Sequence, residues 1–225
     1  MEKISIIHPS RGRCEMAFNT IGKWLTSASG KNQIEYILSI DITDSNCHEY
    51  GSNLDYLNDI VNDSVIHIKS LIGDNKTAIE AINNAAKVAT GDLFIVVSDD
   101  FDCFDDWDLW LLEKLKDKSD FIVKTCDGIQ PRLITLPIMD RAYYNRFGYV
   151  YFPEYLHMFC DTEMTEVGHL LGRVVDLNDE HHMFQHRHYI TGLMEKDAIN
   201  EKNDATWAQG EALFNSRKEK NFFIS

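Results

Sequence analysis

The sequence predicts an α/β fold: a mostly parallel central sheet flanked by helices, with an irregular C-terminal elaboration. Two observations lead there. Short β-branched runs alternate with segments of helical periodicity through the first half, and parallel strands need such crossovers between them. The uninterrupted apolar run Leu93-Phe94-Ile95-Val96-Val97 has the pattern of a buried strand, bounded by Gly91 and by Ser98-Asp99-Asp100.

In chain order, strands are predicted over residues 3–8, 34–40, 65–68 and 93–97. A helix is predicted over 15–25. A second, over 77–89, is marked by the apolar stripe Ile79, Ile82, Ala86 and Ala89. Asp74-Asn75 offers a cap, Thr77 and Glu80 have capping-box spacing, and Gly91 sits where the chain must leave this helix. A helix over 107–115 and a strand over 121–123 follow. Beyond them the pattern loosens to a strand over 133–139 with Pro137 near its end and helices over 140–147 and 165–171. After Glu195 the chain is polar and helical in character, anchored by Trp207, Leu213 and Phe214. No repeat, low-complexity stretch or linker divides the chain, so residues 1–225 are expected to form one domain.

Composition excludes several roles. A formal charge of −14 argues against non-specific binding to nucleic acid or to an anionic membrane surface. The five cysteines, Cys14, Cys47, Cys103, Cys126 and Cys160, are odd in number and lack a C-x-x-C pair, which fits a reduced, cytoplasmic setting. The N-terminal apolar stretch is too short for a signal peptide, and no run reaches membrane-spanning length.

In an open parallel sheet, ligands bind outside the carboxyl ends of the strands. Three polar clusters are expected there. Pro9-Ser10-Arg11-Gly12-Arg13 offers a kinked turn, a hydroxyl and two guanidinium groups suited to phosphate or a base edge, and equally a turn before a solvated helix. Asp41 can accept hydrogen bonds from a base or ribose, or cap its loop. Ser98-Asp99-Asp100 sets adjacent carboxylates at a strand end, a repulsive arrangement that a divalent cation such as Mg²⁺ or Mn²⁺ relieves. Asp105 and Asp106 also suit a helix N-terminus.

Two further constellations lie in the second half. His181-His182-Met183-Phe184-Gln185-His186-Arg187-His188 carries four histidines, able to supply a metal ligand or phosphate donors. Extended, it would place His182, Phe184, His186 and His188 on one face. Cys160-Asp161-Thr162-Glu163 follows an aromatic-rich stretch, where desolvation would raise a carboxylate pKa toward general-base use, although Asp161 or Thr162 can equally cap the next helix.

Taken together, residues 4–13, 75–83 and 91–100, and more loosely 161–163 and 186–188, resemble nucleotide-sugar glycosyltransferases of the GT-A fold, especially compact phage and bacterial members of family 2. The resemblance implies a GT-A-like domain with a nucleotide-binding half (1–105), an acceptor-side half (106–195) and a helical tail (196–225). It implies a bacterial or phage-encoded enzyme using a nucleoside diphosphate sugar, a UDP-sugar foremost, an acceptor hydroxyl of unknown origin and a divalent metal, Mn²⁺ or Mg²⁺. Asp99 would contact the donor ribose, Asp100 the metal and Asp41 the base. Pro9, Ser10, Arg11, Arg13 and Lys76 would lie near nucleotide or phosphate. His186 would be the late metal or phosphate ligand, with His188 as alternate, and Asp161 the catalytic base, with Glu163 as rival. The acid expected before Asp161 is replaced by Cys160. Two other readings compete: a metal-dependent phosphoryl-transfer or hydrolytic enzyme drawing on Asp102, Asp105 and Asp106, and a binding module without catalysis.

Overall fold

The structure, a computed structural model, describes residues 3–45, 48–50, 53, 57 and 65–224. Asn46 and Cys47 lie outside the described residues. Among the described residues seven strands form one sheet: β1 (Lys3–Ser10), β2 (Gln33–Asp41), β3 (Ile66–Gly73), β4 (Leu93–Val96), β5 (Ile122–Thr125), β6 (Ile138–Asp140) and β7 (Val174–Leu177). Their order is β3-β2-β1-β4-β6-β5-β7, and of these strands β6 alone runs antiparallel to its neighbours. The mostly parallel α/β sheet expected from the sequence is therefore present.

Residues on the central strands alternate between two cores. Ile4 and Ile6 of β1 and Leu93 and Ile95 of β4 face one layer, packed with Ile21 and Trp24 of α1 (Cys14–Thr26) and Trp107 and Leu111 of α3 (Trp107–Leu115). Ile7, Phe94 and Val96 face the other, against Ile79 and Ile82 of α2 (Ala78–Val88). Tyr143 of α4 (Arg141–Phe147), Met164 of α5 (Cys160–Leu170) and Phe214 of α7 (Trp207–Lys218) complete that layer. A short α6 (Ala198–Asp204) begins with a capping box between Asp197 and Asn200.

Local chemistry explains the tight joins. Thr77 caps α2 by accepting from the Glu80 amide, as its spacing predicted. Glu80 reaches back one residue further than a capping box requires, to the Lys76 amide. Gly91 is obligatory for close approach: a Cβ there would lie 2.6 Å from the Ser5 amide nitrogen, inside any real contact distance. Beside it, buried Glu35 of β2 accepts from Ser5 Oγ (2.6 Å), Lys69 Nζ (2.8 Å) and the Thr90 amide (2.8 Å). Burial opposes ionisation of Glu35, yet Lys69, Ser5 and Thr90 outweigh it and hold the pKa at about 2. A depressed carboxylate pKa stabilises the fold above the unfolded value and loses that contribution as pH falls through the folded one. Glu35→Gln is therefore expected to cost about 2 kcal/mol at neutral pH and to flatten the decline in stability between about pH 5 and pH 2, as urea titrations across that range would show.

Asn83 of α2 performs a comparable task where α2 meets residues 150 and 151. Its buried amide accepts from the Val150 (2.9 Å) and Tyr151 (3.2 Å) amides and donates to the Tyr151 carbonyl (2.8 Å). Alanine there strands three backbone groups away from water. A loss of about 2–4 kcal/mol in denaturant midpoint analysis is expected, with no change in the sheet-edge site described below.

Three expectations in the second half are corrected. The strand read over 133–139 is only Ile138–Asp140, because the Ile134 amide and the Thr135 hydroxyl bond instead to the side chains of Thr165 and Asp127. The helix read over 165–171 starts five residues earlier, at Cys160, with Phe159 turning the chain in the left-handed region (φ 71°) and no side-chain cap to mark the start. Edge strand β7, partly exposed along its length, was not anticipated. Trp207 is also no core anchor: it is 53% exposed, whereas Phe214 is buried. Among the described residues, no helix is long and apolar enough to cross a membrane. The four described cysteines are free thiols.

Candidate functional site at the carboxyl edge of the sheet

Parallel β1, β2 and β4 end side by side, so the three predicted polar clusters do converge on one edge. The loop after β4 is its centre. Asp99 and Asp100 are each only 5% exposed, so their environment, not bulk water, sets their charge.

Asp99 is oriented from beneath. Its Oδ1 lies 2.9 Å from Nε2 of His8, a fully buried residue of β1, whose Nδ1 lies 2.8 Å from the Tyr36 hydroxyl of β2. Burial pushes the Tyr36 pKa well up, keeping its phenol protonated. Every group is then satisfied when Tyr36 donates to Nδ1 and Nε2–H donates to Asp99. The Asp99 carbonyl accepts from Thr20 Oγ1 (2.6 Å) and Arg187 Nη2 (3.1 Å), while Trp24 Nε1 donates to the Phe101 carbonyl (2.9 Å). The loop carrying both aspartates is thus clamped to α1.

Asp100 faces the histidine segment. Its Oδ2 is 3.5 Å from His186 Nε2, and its Oδ1 accepts from Ser98 Oγ at 2.5 Å. Burial raises the pKa of Asp100, but His186, Ser98 and the charge of Arg13 more than offset this and hold it well below the usual carboxylate range. Residues 184–187 run extended between two loops: the Phe184 and His186 amides donate to the carbonyls of Cys126 and Asp127, and the Arg187 amide donates to that of Asp100. Phe184 stacks on Trp24 in the core and His186 on Phe101 (ring centroids 4.2 Å apart), so the alternation expected of an extended segment holds there. His182 stacks on Trp110 and bonds to Asp179, away from this pair.

The remaining predicted residues surround this centre. Pro9, the last residue but one of β1, lies beyond the pairing with β4, where its missing N–H breaks no bond to that strand. Ser10 Oγ and the Arg13 amide meet the Tyr50 hydroxyl. Arg11 pairs with Asp41 Oδ2 at 2.9 Å and donates to Thr43. Asp41 also caps its own turn through Thr43; burial raises its pKa, while the Thr43 bonds and Arg11 prevail and lower it. Arg13 makes a bidentate pair with Asp197 (2.7 Å for each bond). Burial works against the charge of Arg13, but Asp197 and then Asp99 and Asp100 raise its pKa. Lys76 is exposed at the neighbouring end of the sheet and makes no side-chain bond among the described residues.

Asp161 lies in the first turn of α5. Burial raises its pKa; the Thr162 amide and hydroxyl and the nearby charge of His186 offset this only in part. α7 fixes the turn that presents Asp161. Gly210 of α7 packs so tightly that a Cβ would fall 2.3 Å from the Met158 carbonyl, and the left-handed Phe159 is held between Trp207 and Phe214. Beside it His157 is half-buried, with its Nδ1 atom buried and without a partner among the described residues; desolvation lowers its pKa to about 4, against the pull of Asp100 and Asp204, so it is neutral.

Other candidates are used elsewhere. Glu163, the rival base, accepts both nitrogens of buried Arg217 (2.8 and 2.9 Å) and the Tyr155 hydroxyl (2.8 Å), anchoring α7 to α5. Asp102 pairs with Arg187 at 3.3 Å, and Asp105 accepts from Ser27 Oγ. Among the described residues no second carboxylate set for a two-metal site is assembled, since no three His, Cys, Asp or Glu side chains gather around a common point. Asp100 and His186 still fit one divalent ion. Their 3.5 Å separation is near the ~3 Å between adjacent ligands bonded at about 2.1 Å, and an octahedral cation that takes few protein ligands fills its shell from substrate phosphates and water. Sequence reasoning missed His8, Tyr36, His157 and Arg187. A histidine inside the apolar run of β1 was the available signal for the first.

No family model and no curated protein matches the sequence. Solved structures do match in fold. The mannosyltransferase PcManGT from Pyrobaculum calidifontis, in complex with GDP-Man and Mn²⁺, superposes with a TM-score of 0.61 at 14% identity, over 79% of this chain and 55% of that one. S. aureus TarS 1-349 in complex with UDP-GlcNAc gives 0.60 at 16% identity, over 79% and 56%. The chain thus spans little more than half the length of these structures. The fold is of the GT-A type, as the resemblance implied.

Proposed function

We propose that this chain is a metal-dependent, inverting glycosyltransferase that moves a sugar from a nucleoside diphosphate sugar, a UDP-sugar foremost, to an acceptor hydroxyl. The observation that carries the reading is the pairing of Asp100 with His186 beside Asp99, at the carboxyl edge of a GT-A-type sheet, with the desolvated Asp161 within the field of His186. That PcManGT is described with GDP-Man and Mn²⁺, and TarS with UDP-GlcNAc, adds support.

Each residue has a derivable task. Asp100 and His186 would hold a divalent ion, which supplies positive charge against the leaving diphosphate. Asp99, locked by His8, offers an aligned carboxylate to ribose hydroxyls. Arg11 and Arg13 bring cationic character to the same edge, and Asp41 the acceptor oxygens for a base. Asp161 takes the proton from the acceptor hydroxyl as its oxygen attacks the anomeric carbon opposite the departing diphosphate. Its pKa, raised by burial, strengthens it as a base. Glu163, the carboxylate two residues on, is held by Arg217 and so is not free to form a covalent intermediate, which favours single displacement and inversion.

Release of nucleoside diphosphate from a panel of nucleotide sugars, with water as the default acceptor, tests this. Slow Mn²⁺-dependent release from one donor class, abolished by EDTA, is expected. Turnover of a generic phosphoester with no release from any sugar donor would instead support the phosphohydrolase reading.

A further inference from the structure

A cavity of about 420 Å³ opens beside the proposed metal pair, in the part of the chain where sequence patterns were weakest. Among its lining residues are His157, His188, Tyr189, Asn203, Asp204 and Trp207. The His188 ring lies 5.0 Å, centroid to centroid, from that of His186, so the cavity begins where the Asp100–His186 pair ends. Asp161 follows His157 by four residues, at the start of α5.

Building on the proposed glycosyl transfer, we propose that this cavity is the acceptor subsite and that its occupant is a neutral saccharide. Three features select that chemistry. Trp207 is 53% exposed while its ring packs edge-on against Phe159, leaving a flat apolar surface suited to the C–H face of a pyranose. The polar groups are those that bind hydroxyls. The Asn203 amide makes no side-chain bond among the described residues, His157 Nδ1 is buried without a partner, and Asp204 is an acceptor held ionised by Lys196 (2.6 Å) and the Tyr189 hydroxyl (2.9 Å). Charge excludes the main rival, a phosphorylated lipid carrier. No lysine or arginine lines the cavity among the described residues, Lys196 is already committed to Asp204, and a phosphate would meet that carboxylate uncompensated. The tight contact of Gly210 with Met158 fixes Trp207 relative to His157, so platform and polar groups are set before a ligand arrives.

Fluorine NMR of the full chain labelled with fluorotryptophan reads the site directly, since only four tryptophans are present and Trp207→Phe identifies the relevant resonance. Methyl glycosides of glucose, galactose, mannose and N-acetylglucosamine are titrated with UDP and Mn²⁺ present, with glycerol and dodecyl phosphate as comparisons. At least one glycoside is expected to shift the Trp207 resonance saturably, with a dissociation constant on the order of millimolar. Calorimetric titration of that glycoside should show affinity about tenfold weaker in Trp207→Ala, read beside its melting curve because Trp207 also holds Phe159, and weaker also in Asn203→Ala, whose melting temperature should change little because that side chain makes no bond within the described residues. A Trp207 resonance silent to every glycoside, or moved equally by glycerol, overturns the inference, as does a shift by dodecyl phosphate alone. UDP binding in the same samples separates the two levels. Intact UDP binding with no glycoside response rejects the acceptor subsite and leaves the donor reading standing, whereas glycoside binding without UDP binding keeps a saccharide site and removes the transferase.

Discussion

Asp100→Ala is expected to abolish Mn²⁺-dependent binding of nucleoside diphosphate and to lower sugar transfer on the order of 10³-fold, a loss of about 4 kcal/mol in transition-state stabilisation. The carboxylate is buried, held ionised by His186 and Ser98, and is the acid of this loop that pairs with the histidine segment. Its removal leaves His186 as a lone ligand, too few for an ion that must then find all its other partners in water and substrate. The loop itself should survive, because its backbone is fixed by Thr20, Trp24 and Arg187 rather than by the Asp100 side chain. Calorimetry with and without Mn²⁺, beside a melting curve, checks this. Retained metal-dependent binding in a folded variant would move the metal away from Asp100.

Asp161→Asn is expected to behave differently. Transfer should fall by about 10²–10⁴-fold while donor and metal affinity stay near wild type, since the loss is of proton transfer alone. The sign of the pH dependence follows from the raised pKa: protonated Asp161 is inactive as a base, so wild-type kcat/KM climbs as pH rises through that value, and this limb should vanish in the variant. Equal weakening of donor binding would mark Asp161 as a binding residue. Unchanged turnover would remove Asp161 as the base and assign the proton transfer to another group, whereas no turnover in the wild-type protein would revive the non-catalytic reading that the Cys160 substitution motivated.

Much of the donor half was legible because its strands are long apolar runs flanked by turns. β1, β2 and β4 were read to within about two residues, and with them the edge at which Arg11, Asp41, Asp99 and Asp100 meet. β3 extends five residues past its predicted end, since Lys69, Ser70 and Gly73 interrupt hydrophobicity on a sheet-edge strand where backbone pairing persists. The acceptor half was obscure for physical reasons. β6 has three residues, too few to display a period. The start of α5 depends on a left-handed Phe159 held by α7, which no local signal announces. The clamp on Asp99 joins His8, Tyr36 and Asp99 across three adjacent strands, a contact that only the strand order creates. The separation of Asp161 from Glu163 likewise needed Arg217, which lies 54 residues away.

The most direct test of the donor site is calorimetric titration of the wild-type protein with UDP and the other nucleoside diphosphates, in Mn²⁺ and then in EDTA. Saturable binding of at least one of them that requires the metal, and is lost in Asp100→Ala, is the result the donor site predicts. Absence of metal-dependent binding for every nucleoside diphosphate would contradict it.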